Sequence, residues 1–279
     1  MIIFLMYRHF IYFYKKNMFT RHSNKPQYFN EQAHTTEKYV IPFISDILPV
    51  VAGMKVLEIG CAEGGNMLPF LDAGCQVIGL DIAEHRIKLA EEFFAGHPLR
   101  HNLRLIVADI YEAEHLLDTD HELIIMRDVI EHIPQQEKLM AAIKKYMAPH
   151  GKLFIAFPPW YNPFGGHQQV CANKFVSLLP YIHLLPASLY KAVLQMAGES
   201  EEKIHNLLEL RKTGISIERF RKIVFTENYI IHKETLYLIN PNYEVKFRLK
   251  PRRQLLLIRI MPFVRNFFTT VVYYVLSKK

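Results

Sequence analysis

The sequence predicts an α/β protein built on a doubly wound, mostly parallel sheet of seven strands. Three observations lead to this fold. Short apolar, β-rich runs alternate with helical stretches over residues 55–157, which is typical of a parallel sheet covered on both faces. Two further β-rich runs, Tyr229–Ile239 and Phe268–Leu276, are expected to form an antiparallel C-terminal hairpin. Between these parts, prolines and glycines interrupt an apolar segment, which predicts an inserted helical lid at about 160–214.

The individual elements follow from periodicity and from the residues at their ends. Strands of the parallel part are predicted at Lys55–Ile59, Gln76–Leu80, Leu103–Val107, Leu123–Met126 and Lys152–Phe157. Helices are predicted at Gln32–Leu48, Asn66–Ala73, Ala83–Phe94, Glu137–Met147 and Ser216–Val224. Pro42 is expected to bend the first helix, Gly151 to open the fifth strand, and Ser216 to cap the last helix.

The domain organisation is predicted as an N-terminal extension, 1–30, followed by one domain, 31–279. The lid and a basic insertion at about 241–266 interrupt this domain. The first fourteen residues are apolar and aromatic, but the run is too short to span a bilayer and lacks the basic start of a signal peptide. Two interpretations remain open: a membrane-surface anchor, or a stretch upstream of a true start at Met18.

Composition narrows the function classes. The chain is 50% hydrophobic with a net charge of +7, a mild basic excess that does not require a nucleic-acid partner. Cys61, Cys75 and Cys171 are widely spaced and form no CxxC pair, which favours a reducing, cytoplasmic location. The histidines show no metal-ligand spacing, so no metal is expected.

The chemistry is concentrated at the ends of the predicted strands. The segment 56–65, VLEIGCAEGG, ends the first strand on an acid and turns through glycines into a helix, so that the backbone can approach a ligand closely. Asp81 ends the second strand, Asp109 follows the third, and MRDVIEHIP, 126–134, follows the fourth. Together these segments resemble class I S-adenosylmethionine-dependent methyltransferases, particularly those of quinone and small-molecule pathways. The resemblance covers residues 39–159, with a fainter similarity in the last strands.

This resemblance implies a Rossmann-like fold and S-adenosyl-L-methionine as cofactor. It implies that Glu58 contacts the α-ammonium, Asp81 the ribose hydroxyls and Asp109 the adenine amino group, with carbonyls near Arg127 holding the methionine portion. The full set of cofactor-binding residues expected is Glu58, Gly60, Cys61, Gly64, Asp81, Ile82, Asp109, Ile110 and Arg127. The family usually has glycine where this chain has Ala62.

The loop after the fifth strand, FPPWYNPFGGHQ, is expected to face the acceptor, because strand ends in open α/β sheets face the ligand crevice. Trp160 and Tyr161 are candidate substrate contacts, and His167 is the candidate general base. A purely structural role for His167, as a helix cap or lid-packing residue, stays open. His132 is a second catalytic candidate, although a structural role is favoured for it.

The predicted activity is methyl transfer to a small, lipid-like or glycan acceptor, at oxygen. The apolar lid suggests a hydrophobic acceptor molecule, and the basic insertion allows peripheral contact with a membrane. Two alternatives are kept. One is an NAD(P)-dependent oxidoreductase, since Gly60–Gly65 can be read as a dinucleotide turn. The other is a catalytically inactive S-adenosylmethionine-binding module.

Overall fold

The computed structural model describes residues 24–279, so the apolar run at the start of the chain and both interpretations of it lie outside the described residues. Within residues 24–279, no helix has the combined length and apolarity that crossing a bilayer requires.

The sheet has eight strands rather than the seven expected. They are β1 Lys55–Ile59, β2 Gln76–Asp81, β3 Leu103–Val107, β4 His121–Arg127, β5 Met147–Phe157, β6 Tyr229–Ile239, β7 Arg252–Arg253 and β8 Val271–Lys278. Their order is β3-β2-β1-β4-β5-β8-β6-β7. Strands β1 to β5 pair parallel with one another, whereas β8 pairs antiparallel with both β5 and β6. The extra strand, β7, escaped prediction because its two residues are exposed arginines that carry no β-period.

Twelve α-helices accompany the sheet in the described part of the chain. They are α1 Lys25–Thr35, α2 Ile41–Ser45, α3 Leu68–Asp72, α4 Glu84–Phe94, α5 Gln136–Ile143, α6 Lys174–Leu178, α7 Ala187–Met196, α8 Glu201–Thr213, α9 Ile217–Thr226, α10 Tyr243–Phe247, α11 Leu256–Arg259 and α12 Val264–Phe268. Helix α5 ends earlier than predicted, and β5 begins five residues before the predicted Lys152.

The first helix begins earlier than the predicted Gln32. Helix α1 begins at Lys25, where the Asn24 side chain accepts a hydrogen bond from the Gln27 backbone N–H and a proline occupies the first turn. It continues through a π-helical turn at Thr36–Val40 into α2. The predicted domain boundary between residues 30 and 31 therefore falls inside a continuous helix, because the capping signal lies upstream of the apolar period used to place the start.

Side chains from the two faces of the sheet form separate cores, as strand alternation requires. Leu57 and Ile124 pack into the core on one face, with α5 and α9. Val56 and Ile125 pack into the core on the other, with α2 and α3. All four of these side chains are buried. This two-sided burial holds the carboxyl ends of β1, β2, β3 and β4 at one edge.

The lid segment has a small hydrophobic core of its own. Its members are buried side chains from α6, α7, α8 and the turns between them: Cys171, Val176, Ile182, Tyr190, Leu194, Ile204 and Leu207. Two hydrogen bonds fix the end of α8 to the sheet edge. The Thr213 hydroxyl donates to the Glu131 carbonyl at 2.6 Å, and the Gln136 amide donates to the Thr213 carbonyl at 2.6 Å.

Candidate functional site

The turn after β1 requires its glycines. Gly60 and Gly64 have φ values of +72° and +87°, which L side chains rarely adopt. A Cβ at Gly60 would lie 2.5 Å from a Val129 methyl carbon, and one at Gly64 would lie 2.7 Å from the Phe94 ring. The turn is thus tightly packed from below, and the Gly60 backbone lines a cleft above.

Glu58, at the end of β1, is buried beneath this cleft. Its Oε1 accepts a hydrogen bond from the Asn66 amide at 2.9 Å, and among the described residues its Oε2 has no hydrogen-bond partner. Burial raises the pKa of Glu58 to about 8, although Asn66 and Arg127 oppose the shift. A buried carboxylate with a free oxygen is suited to a cationic ligand group.

Arg127, at the end of β4, lies on the same side. Its guanidinium donates to Asn66 Oδ1 at 2.7 Å and to the Thr36 hydroxyl at 2.9 Å. Asn66 and Arg127 both line the cleft. The sequence analysis assigned the carbonyls near Arg127 to the ligand, whereas the structure presents the side chain itself.

Asp81, at the end of β2, is held by backbone donors. Its Oδ2 accepts from the Ala62 N–H at 2.9 Å, and its Oδ1 accepts from the Ala83 N–H at 2.9 Å. Each oxygen keeps a second lone pair for a hydroxyl donor. Ile82 beside it is 74% exposed, so its side chain is free to cover a ring.

The other predicted cofactor residues lie in different surroundings. Asp109 is exposed and accepts a hydrogen bond from the Tyr111 N–H at 2.9 Å. Ile110, next to it, is buried in the core beneath the sheet. Cys61 is buried as well, and burial raises the pKa of its thiol well above the usual range. The side chains of Ile110 and Cys61 therefore support the site from the core.

Two adjoining clefts lie at this edge of the sheet. The first holds Gly60, Asn66 and Arg127. The second, about 430 Å³, extends under the lid. Both clefts share lining residues from α1, the β1 and β4 ends, α4 and the basic insertion: Tyr28, Glu31, Ala62, Arg86, Asp128, Asn242 and Lys246. A ligand in the first cleft thus has direct access to a ligand in the second.

The two predicted catalytic histidines meet in the second cleft. The rings of His132 and His167 have centroids 5.1 Å apart and an interplanar angle of 72°. Ligand atoms of Glu131, His132 and His167 all lie within 4.8 Å of one another. The histidine spacing in the sequence predicts no metal, but this combination of one carboxylate and two imidazoles can hold a divalent cation. The residues are 35 positions apart, so only the lid fold brings them together.

Burial sets the protonation of this cluster. The pKa of His132 is lowered, chiefly because its ring is buried, so His132 is neutral at physiological pH. The pKa of Glu131 is raised well above its ordinary value by burial and by the nearby Asp128 carboxylate. Among the described residues, neither Glu131 carboxylate oxygen has a hydrogen-bond partner. A cation or a proton must therefore compensate this buried carboxyl.

The residues of the loop after β5 lie in two different places: some line the second cleft, and others pack against neighbouring side chains away from it. Asn162, Phe164 and His167 line the second cleft. Trp160 and Tyr161, the predicted substrate contacts, pack elsewhere. The Trp160 ring contacts His183 edge to face, with centroids 4.8 Å apart, and Tyr161 lies against Phe267. Neither ring is brought to the cleft.

Two segments outside the candidate site residues, α1 and the basic insertion, also line the clefts. Tyr28, from α1, and Lys246, from α10, line both clefts. Burial raises the pKa of Tyr28 to about 12, so this hydroxyl stays protonated. The aromatic residues before β1 were the only feature of the sequence that could indicate a contribution of α1 to the site. No feature of the neighbouring sequence predicted that Lys246 would lie near a ligand.

Taken together, the topology and the site define a class. A parallel sheet completed by an antiparallel pair, a glycine turn with an acid before it, and strand-end carboxylates are the features of a class I S-adenosylmethionine-dependent methyltransferase. The model of the methyltransferase-domain family matches residues 31–180, more than half of the chain. The chain belongs to this family, whose cofactor is S-adenosylmethionine. This match decides against the nicotinamide-dependent oxidoreductase.

Curated relatives differ in the atom they methylate. A ubiquinone biosynthesis O-methyltransferase from Bartonella bacilliformis is 30% identical over 128 residues, which is 44% of this chain and 50% of that protein. Phosphoethanolamine N-methyltransferase 3 from Arabidopsis thaliana is 32% identical over 43% of this chain and 23% of its own length. A sterol 4-C-methyltransferase from Caenorhabditis elegans is 24% identical over 48% and 40%. The chain spans about half the length, or less, of these relatives.

Solved structures share the fold over most of the chain. Geranyl diphosphate C-methyltransferase from Streptomyces coelicolor aligns with a TM-score of 0.56 at 11% identity, covering 88% of this chain and 82% of that one. Magnesium protoporphyrin IX methyltransferase from Synechocystis aligns with a TM-score of 0.53 at 15% identity, covering 92% and 88%. These similarities confirm the predicted Rossmann-like α/β architecture.

Proposed function

We propose that this chain transfers the methyl group of S-adenosylmethionine to a hydroxyl oxygen of a small, lipid-like or glycan acceptor. The observation that carries the proposal is the junction of the two clefts. One contains the glycine turn, Asn66 and Arg127, and the other contains the histidine pair. A methyl group at their shared wall lies between cofactor and acceptor.

The cofactor's methionine portion fits the first cleft. The free oxygen of Glu58 accepts from the α-ammonium, and Arg127 pairs with the carboxylate. Asp81 accepts from the ribose hydroxyls, for which its two oxygens retain lone pairs. Asp109 accepts from the adenine amino group, while Ile82 covers the ring. Cys61 and Ile110 position the turn and strand end from the core.

The acceptor cleft combines apolar walls with a few polar groups. Phe164, Val170 and Phe247 line it, together with Asn162 and the histidine pair. This lining suits an apolar molecule that carries a hydroxyl. The named activity of the Bartonella relative favours oxygen as the acceptor atom. We include peripheral membrane contact in the proposal, and the three free, buried cysteines support a reducing cytoplasmic location.

The reaction is an in-line displacement that depends on alignment and on removal of the hydroxyl proton. In this proposal His167 accepts that proton, and the neutral His132 ring orients it. As an alternative to this role of His167, the cluster fits a divalent cation with Glu131, His132 and His167 as ligands, because an imidazole nitrogen that binds a cation cannot also accept the proton. Such a cation, when bound, lowers the pKa of an acceptor hydroxyl.

The test is transfer of labelled methyl from S-adenosylmethionine into fractions of a cell extract. We expect label in the lipid or small-molecule fraction. Label in RNA or protein would contradict the proposed acceptor class. Cofactor binding without transfer to any fraction would instead favour an inactive binding module.

A further inference from the structure

An apolar surface projects from the basic insertion. We define it as the leucine–arginine loop, residues 252–264. Its large apolar side chains are far more exposed than such side chains normally are: Leu255 53%, Leu256 69%, Leu257 75%, Ile260 62%, Met261 40%, Phe263 67% and Val264 41%. Helix α11, within it, has no buried residue. A continuous stretch of this kind marks a binding surface.

The loop stands on a rigid base. The Gln254 backbone N–H donates to the Leu236 carbonyl of β6 at 2.8 Å, and its side-chain amide donates to the Phe268 carbonyl at 2.7 Å. Arg265, which is buried, forms an ion pair with Glu218 of α9 at 2.8 Å. These bonds hold the exposed apolar side chains in place at the tip.

The charge around the loop has one sign. From residue 245 to the C-terminal Lys279 the sequence contains nine lysines and arginines and no aspartate or glutamate. Arg252, Arg253 and Arg259 within the loop are exposed, as are Arg248 and Lys250 just before it. An apolar tip surrounded by cations is complementary to an anionic bilayer, whose acyl boundary takes the apolar side chains and whose headgroups pair with the arginines.

We propose that the leucine–arginine loop inserts into the surface of an anionic lipid membrane. The cationic side chains around the loop support an anionic bilayer as its partner, because exposed arginines and lysines on both sides of the apolar stretch match anionic headgroups. Its position also suits delivery of an apolar acceptor, a consequence that rests on the proposed function. Thr270, shortly after the loop, lines the acceptor cleft, and Phe267 contacts Tyr161 of the lid-side loop.

The experiment is sedimentation of the full chain with vesicles of phosphatidylcholine alone or with about one third phosphatidylserine. We expect binding to the anionic vesicles that weakens with salt. The double substitution Leu256→Asp with Leu257→Asp should weaken it about tenfold or more. Phe225→Asp, at an 83% exposed residue of α9, is the matched control and should bind as the wild type does.

Two further readouts keep the test independent of folding and of catalysis. The three native cysteines are buried, so Leu257→Cys can be labelled selectively with a polarity-sensitive dye, whose emission should shift to the blue on anionic vesicles. Unchanged vesicle binding by the double variant would overturn the proposal and point to another part of the chain. A dimer that the double variant abolishes, without any vesicle binding, would overturn it in favour of a second copy. Neither measurement depends on methyl transfer.

Discussion

The imidazole rings of His132 and His167 lie 5.1 Å apart, at 72°, although one follows β4 and the other lies in the loop after β5. Glu131 completes a cluster in which one ligand atom from each residue lies within 4.8 Å of the others. This arrangement places two imidazoles and a buried carboxyl against the second cleft. It leads to the first two predictions.

Replacing His167 should lower turnover without removing the cofactor. Its backbone has a φ of +55°, so His167→Asn is the suitable variant, because asparagine tolerates this conformation best among side chains of similar size. We expect a fall in kcat of about 10² to 10⁴. His150→Asn, at an exposed residue, is the control. A wild-type kcat in the His167→Asn variant would show that His167 is not the general base.

The cluster's affinity for a divalent cation is a separate prediction. Glu131 is buried beside two imidazoles, and within residues 24–279 its carboxylate oxygens have no hydrogen-bond partner, so we expect a chelator to reduce methyl transfer and added Mg²⁺ or Zn²⁺ to restore it. Glu131→Gln should lose this restoration while still binding S-adenosylmethionine in calorimetry. Activity that a chelator does not change would show that methyl transfer needs no bound cation. The histidine pair would then act only as a base.

The Glu58 carboxyl predicts a pH dependence with a definite sign. Its pKa rises from 4.5 to about 8 in the ligand-free fold, so the folded state holds a proton that the unfolded chain has released, and stability falls as pH rises between these values. The cofactor's ammonium favours the ionised form. Affinity for S-adenosylmethionine should therefore increase as the pH rises toward about 8.

Calorimetric titrations of S-adenosylmethionine into the protein at a series of pH values measure this pH dependence of the affinity. Glu58→Gln should bind more weakly, with little dependence on pH, and its stability should fall less over the same range. Glu84→Gln, at an exposed helix position, serves as the control. An identical pH profile in Glu58→Gln would show that another group controls binding.

Ala62 has a φ of +49°, in the left-handed region that glycine adopts more readily than alanine. The left-handed conformation costs an L residue about 1–2 kcal/mol, while glycine loses about 0.5–1 kcal/mol more entropy on folding. Ala62→Gly should therefore stabilise the protein by up to about 1 kcal/mol. Ala95→Gly, at a helical φ of −55°, should destabilise it instead. Thermal unfolding of both variants decides the sign.

The lid depends on a close contact at Gly166. A Cβ there would lie 2.2 Å from the His183 Cβ, so Gly166→Ala should destabilise the protein by about 1–3 kcal/mol and raise the KM for the acceptor. Gly96→Ala is the matched control, since nothing lies within 4 Å of its added methyl. Denaturant unfolding and acceptor titration measure the two effects, and equal behaviour of the two variants would contradict the packing argument.

Local sequence determined the parallel part of the sheet and the strand-end positions of the residues proposed to bind the cofactor. Glu58, Asp81 and Arg127 each lie at or next to the end of a strand whose apolar run is recognisable on its own, and parallel strands bring their carboxyl ends to one edge. The same periodicity predicted both ends of β6 correctly. The start of α1 was not predicted because it is marked by a capping residue. The two-residue β7 was not predicted because it is defined by its pairing with another strand. Neither element is marked by an apolar period.

Only the tertiary structure decided the acceptor side. His167 reaches His132 because the lid packs around its own core, and Lys246 enters the cleft because the basic insertion folds back beside α1. Trp160, in contrast, packs against Gly214 and His183 and is held away from the cleft. These positions result from contacts between distant segments, which depend on the shapes of packed surfaces, and no pattern of neighbouring residues encodes them.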